Sequence, residues 1–129
     1  MIEARQIIER AILALTPKID TAFENTAYKP TSGKPYQEFY FKLSEPDSIV
    51  IDDTIVEQGG FFQITLRYPA GKGVKDALER AELYKKAFKV GMVLENKVYI
   101  IAPTSVDILG TDGDRYSVAV SIYFKFYEE

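Results

Sequence analysis

Four short stretches of the chain hold residues with chemical potential. Pro69-Ala-Gly-Lys-Gly-Val74 sets a lysine among glycines where a strand pattern passes into a helix pattern, the setting in which backbone amides cradle a phosphate. The GxxxxGK[ST] spacing is absent, however, and Lys72 is followed by Gly73 instead of Ser or Thr, so the stretch reads as a tight turn before a helix. Asp112-Gly-Asp114, with Asp107 nearby, resembles the opening of a calcium loop. It lacks the further oxygens and the terminal bidentate glutamate that such a loop requires, and reads as a hairpin turn. Asp52-Asp53 pairs two carboxylates suited to acid–base work or a divalent ion. No histidine or pocket signature accompanies them, so a solvated acidic loop able to meet a basic partner is the simpler reading. Lys85, Lys86 and Lys89 fall where a helix should end, where cations complement its dipole; a basic binding patch is the alternative. Basic residues and aromatics do not interleave as they would in a groove for single-stranded nucleic acid.

What is missing narrows the chemistry further. The 129 residues include no His and no Cys, which removes imidazole and thiolate metal sites, Ser-His-Asp triads and cysteine nucleophiles. An enzyme would have to work with carboxylates, Lys or Tyr. Length and a 47% hydrophobic content suit one soluble domain, 1–129. The net charge of −3 argues against direct nucleic-acid recognition. No apolar run approaches the roughly 20 residues of a membrane span. The N-terminal Met-Ile-Glu-Ala-Arg-Gln lacks the basic start and apolar core of a signal peptide.

The elements that would position these stretches can be read from periodicity. Residues 3–15 form an amphipathic helix with Ala4, Ile7, Ile8, Ala11, Ile12 and Leu15 on one stripe, stopped by Pro17. Ile19 and Phe23 suggest a short second helical piece, and the Pro- and Gly-bearing stretch 25–35 a loop. Residues 36–43 alternate as a half-buried strand. Residues 44–58 are acidic; we read a mobile loop or long hairpin tip, with Ile49-Val50-Ile51 as a short strand within it. Gly59-Gly60 breaks the pattern before a strong strand over 61–68. A second helix over 74–89 carries Asp76/Arg80 and Glu82/Lys86 as i,i+4 ion pairs. A hairpin over 92–102, a turn over 109–115 and a long strand over 116–127 complete the chain. The expected class is α+β: a mainly antiparallel sheet with two principal α-helices packed on one face.

Two helices on one face leave the other face uncovered. Alternation puts Tyr40, Phe61, Tyr99, Ile101, Tyr123 and Tyr127 there, among small Ser117, Ala119 and Ser121. Exposed aromatics of this kind mark interaction surfaces. These six are the candidate subunit or partner interface. A sheet that closes on itself, or masking by the 25–35 loop, is the alternative. Asp47, Asp52, Asp53 and Glu57 form a candidate assembly loop.

Taken together, several stretches resemble the tail terminator proteins of long-tailed bacteriophages, which include minor tail protein U of lambda-like phages and a terminator-like group of prophages. The features are the helix Ile7-Ile-Glu-Arg-Ala-Ile-Leu-Ala-Leu15 and the loop with Asn25, Tyr28-Lys-Pro30 and Gly33-Lys-Pro-Tyr36. To these add the block Gly59-Gly-Phe-Phe-Gln-Ile-Thr-Leu-Arg-Tyr-Pro-Ala-Gly-Lys-Gly73, the helix with Ala77, Ala81-Glu82, Tyr84 and Phe88, and the strand starting at Asp112-Gly-Asp-Arg-Tyr116. The ensemble spans nearly the whole chain in order, though no single motif is diagnostic. The resemblance implies an α+β structural protein with no catalytic residues, no metal and no cofactor, made in the host cytoplasm and placed in the virion tail. It implies a six-membered homo-oligomeric ring that caps the tail tube, stops its growth and offers the head-attachment surface. Implied partners are further copies of itself, the major tail tube protein and head–tail connector proteins. A related neck or tail-completion protein is the nearest alternative. A small ligand-binding domain or enzyme using carboxylates or Lys72 is the more distant one.

Overall fold

The structure is a computed structural model, and it describes residues 1–44, 47–48 and 55–128. The expected strand Ile49-Val50-Ile51 and the Asp52-Asp53 pair lie outside the described residues.

Helix α1, Ile2–Leu13, buries Ala4, Ile7, Ile8 and Ile12, as the stripe predicts. It ends before Leu15, which packs against the core from beyond the helix. The expected helical piece around Ile19 and Phe23 is instead strand β1, Asp20–Phe23. It runs parallel to β2, Tyr36–Leu43, with Phe23 opposite Phe39 and the two rings 5.7 Å apart. Two apolar residues four apart cannot distinguish a helix turn from a strand whose flanking positions are half-buried. The intervening 24–35 stretch has the length that a parallel connection needs.

The centre of the sheet is a long antiparallel pair, β4 (Val56–Pro69) and β8 (Arg115–Glu128), in register from Val56↔Glu128 to Pro69↔Arg115. The outer edge of β4 is shared by β2 and by the short β3, Asp47–Ser48. The outer edge of β8 is shared by β6 (Val98–Ile100) and β7 (Ser105–Asp112), and β6 carries β5 (Val93–Leu94). The β5–β6 hairpin turns at Glu95 and Asn96, both at positive φ (48° and 60°), as a tight primed turn demands.

Gly59 and Gly60 lie inside β4 instead of preceding it. Gly60 opposes Leu43 on one side and Phe124 on the other. A Cβ there would sit 2.3 Å from the Lys42 carbonyl oxygen and 3.1 Å from the Phe124 ring, so the strand can pass only as glycine. The expected turn over 109–115 shrinks to the tip of a hairpin, because 105–112 form β7. Its strand character is masked in sequence by a bulge between Ile108 and Gly110 that interrupts the alternation.

These additions change the fold class. The expectation of a mainly antiparallel α+β domain built on two principal helices packed on one face is corrected: the described residues are mostly β, 45% strand and 21% helix, in a curled mixed sheet. Among the described residues the sheet has eight strands, with β1 parallel to its neighbour. Strand was underestimated because glycines and bulges inside long strands look like strand ends.

One core cluster joins the inward rows of the sheet (Phe39, Phe62, Ile64, Leu66, Val118, Val120, Ile122, Phe124) to the buried stripes of α1 and α2. Helix α2, Lys75–Ala87, buries Ala77, Arg80, Ala81 and Tyr84. Arg80 therefore does not serve the expected surface pair with Asp76. It turns inward over the Tyr84 ring and donates to the Pro17 carbonyl. The ion pairs on α2 are Lys75–Glu79 and Glu82–Lys85.

Candidate functional site: the outward sheet face

Strand alternation leaves a second row on β4 and β8, pointing away from the core. Register sets Phe61 beside Tyr123, Glu57 beside Tyr127, and Tyr99 of β6 beside Lys125. Tyr40 of β2 lies opposite Gln63, one step diagonally from Phe61. Ile101 follows β6 and its amide donates to the Tyr123 carbonyl at 3.1 Å. The six residues expected on this face are thus brought onto one surface spanning four strands.

They pack edge to edge without being covered. The Phe61 and Tyr123 rings are 5.8 Å apart, and Tyr99 meets Tyr127 edge-on at 5.8 Å. Tyr40, Ile101, Tyr123 and Tyr127 nevertheless keep 46%, 47%, 41% and 43% of their surface exposed. Lys125 sits among them. Its ammonium lies 5.5 Å from the centre of the Tyr127 ring and 3.2 Å from Glu57 Oε1. Hydrogen bonding to Tyr127, then to Glu57, raises its pKa. Glu57 is accordingly a member of this face on β4, not of a loop. Asp47 is on β3, paired in register with Glu57.

The other end of the face is closed. Arg67 donates through Nε to Glu38 at 2.6 Å and through a terminal nitrogen to Ser117 Oγ at 2.8 Å. Arg115, itself buried, donates to the Lys34 carbonyl and, at 2.8 Å, to the Thr31 carbonyl, with its guanidinium 5.0 Å from the Tyr36 ring. The 24–35 connection is thereby tied down beside Ser117, Ala119 and Thr65, all buried. The two readings of the face divide it: loop-masked at the Arg115 end, open and aromatic at the Tyr123 end. Arg115 gave no signal in the sequence, because its partners are backbone carbonyls more than 80 positions away. Val93 was also missed; its pairing with Tyr99 carries the apolar strip to the β5 edge.

Two of the chemistry-bearing stretches lie in turns. Lys72 is exposed in a turn with Gly71 and Gly73 at φ 83° and 78°, and the Ala70 amide donates to the Asp114 carbonyl. Asp112 and Arg115 close the β7–β8 hairpin around Gly113. Among the described residues no group of three or more acidic side chains is arranged to hold a metal ion. A groove of about 530 Å³ opens between the first turns of α1 and the β6–β8 corner, floored by Ala4, Ile7, Val98 and Phe126. On its rim Glu3 is paired with Lys97, whose hydrogen bond and charge lower the Glu3 pKa.

The β-rich chain thus leaves a contiguous aromatic surface open on its sheet. The sequence matches the phage tail terminator protein family over residues 4–124, and the chain belongs to that family. Family members are structural components of the virion tail. A solved chain known only by a sequence label shares the fold, with a TM-score of 0.71 at 24% identity over 97% of this chain and 98% of that one. Among curated proteins there is no significant match. No helix among the described residues is long and apolar enough to cross a membrane.

Proposed function

We propose that the protein ends tail growth in a bacteriophage or prophage by forming a six-membered ring on the finished tail tube. The family match over residues 4–124 carries this reading. A ring stops elongation physically by presenting, where the next tube subunit would bind, a surface that lacks the tube's own contacts. The opposite side of the ring then meets the head–tail connector. The open aromatic face contributes to the seam between subunits, because large half-exposed rings gain most when a neighbour removes them from water. Asp47, Asp52, Asp53 and Glu57 are the acidic residues that meet a partner during assembly in this reading, with Asp47 and Glu57 paired in register between β3 and β4.

The test is light scattering after size exclusion over a concentration series, with negative-stain images, on the protein alone and mixed with the major tail tube protein. Rings with a central hole, free or seated on tube ends, are the expected result. A protein that stays monomeric at high concentration and ignores tubes would reject the reading. Binding to head connectors without tubes would move the protein to the neck.

A further inference from the structure

A closed ring of identical subunits joins two different patches, one from each neighbour. The aromatic face supplies one of them. Resting on the ring reading, we propose that the other is the bulged ridge of β7, with Ile108 and Leu109 of one copy seating against Tyr123 and Ile101 of the next.

Four observations support this. The far edge of β7 is unpaired among the described residues, so the ridge stands at the rim of the sheet. Ile108 and Leu109 are consecutive, large and aliphatic, yet 56% and 54% exposed, although the register partner of Ile108, Val118, is fully buried. The bulge that presents them depends on Gly110 at φ 87°, around which a Cβ would meet nothing within 4 Å. The glycine itself thus faces open space, and bulges of this sort re-aim side chains. Finally, the charges are complementary. Asp107, Asp112 and Asp114 flank the ridge, exposed and without an ion pair among the described residues. The open end of the face carries Lys42, exposed beside Phe61, and Lys125 beside Tyr99; Lys125 is paired with Glu57, and Asp47 stands opposite Glu57 in register. An aliphatic ridge rimmed by three exposed aspartates and an aromatic face with the exposed Lys42 at its open end fit a second copy of the same chain, because such local charge complementarity sets the register of a contact.

The absence of cysteine makes the test clean. Leu109→Cys and Tyr123→Cys are made singly and together, and concentrated protein is oxidised and run without reductant. The double variant should give a disulfide ladder ending in a covalent ring, and an equimolar mixture of the two single variants should give dimers. Each single variant alone should stay uncrosslinked. Independently, Leu109→Glu should weaken association by roughly tenfold or more while leaving the thermal midpoint of the subunit nearly unchanged. Efficient dimers from Leu109→Cys alone would mean edge-to-edge pairing of β7 and would overturn the proposal. Rings in the micrograph without a 109–123 cross-link would overturn it alone and spare the ring reading. A monomer that neither cross-links nor assembles would overturn both.

Discussion

Tyr84 shows how a single polar atom is accommodated in this core. Its hydroxyl donates to Gln37 Oε1 at 2.6 Å, and Gln37 Nε2 donates to Thr21 Oγ1 at 2.9 Å, so one chain links α2, β2 and β1. Removing the hydroxyl orphans a buried acceptor, which costs about 1–3 kcal/mol. Tyr84→Phe should therefore lower the urea midpoint despite keeping the ring. Burial also pushes the Tyr84 pKa up to about 12 from a reference of 10.0. Below pH 10 both folded and unfolded chains hold this proton. Above it the unfolded chain releases the proton first, so stability is lost as pH rises from 10 through 12. Thermal midpoints across that window should fall for the natural protein and fall less for Tyr84→Phe. Arg80, beside it, keeps its buried Nε without a hydrogen-bond partner, and nothing in the structure accounts for that.

At the scale of elements, glycine placement decides how the long strands run. Gly59 and Gly60 are neighbours, yet the structure separates them sharply. A methyl at Gly60 meets a backbone carbonyl at 2.3 Å, which cannot swing away without breaking the β2–β4 ladder. A methyl at Gly59 meets the Ser44 hydroxyl at 3.1 Å, which can. Gly60→Ala should destabilise by about 1–3 kcal/mol or more, the usual cost of overpacking, and Gly59→Ala by clearly less. Chemical denaturation of the pair checks the order, and equal midpoints would mean that the strand crossing is looser than described. The same logic explains why β4 was read short. Glycine usually signals a strand end, but here it marks where two backbones and the Phe41–Phe124 stack, rings 5.3 Å apart, come closest.

For the molecule as a whole, the question is which surfaces are stability and which are assembly. Tyr123→Glu places a charge at the centre of the open face, where 41% exposure lets it reach water. It should leave the thermal midpoint within a few degrees of the natural protein and weaken self-association by roughly tenfold or more. If Tyr123→Glu unfolds the subunit outright, the face belongs to the core. Arg115→Ala acts at the closed end. It should raise amide exchange across residues 26–35, because its guanidinium holds the Thr31 and Lys34 carbonyls to β8. Unchanged exchange there would mean that the loop is held by its own packing.

Much of this protein was already legible in residue order. The stripes of α1 and α2, the alternation of β2 and β8 and the outward row from Tyr40 to Tyr127 follow from local periods of 3.6 and 2, which need no knowledge of distant contacts. The family resemblance likewise rests on order along the chain. What only the tertiary structure decided is every relation made across the chain. It showed that β1 pairs parallel to β2, that 105–112 is a strand, that Gly59 and Gly60 lie within β4, and that Arg80 turns inward. It showed that Glu57 belongs to the aromatic face and that Arg115 closes one end of it. The physical reason is the same in each case: strand pairing and burial depend on which neighbour comes alongside, and a segment's own pattern does not record the groups it will meet from far along the chain.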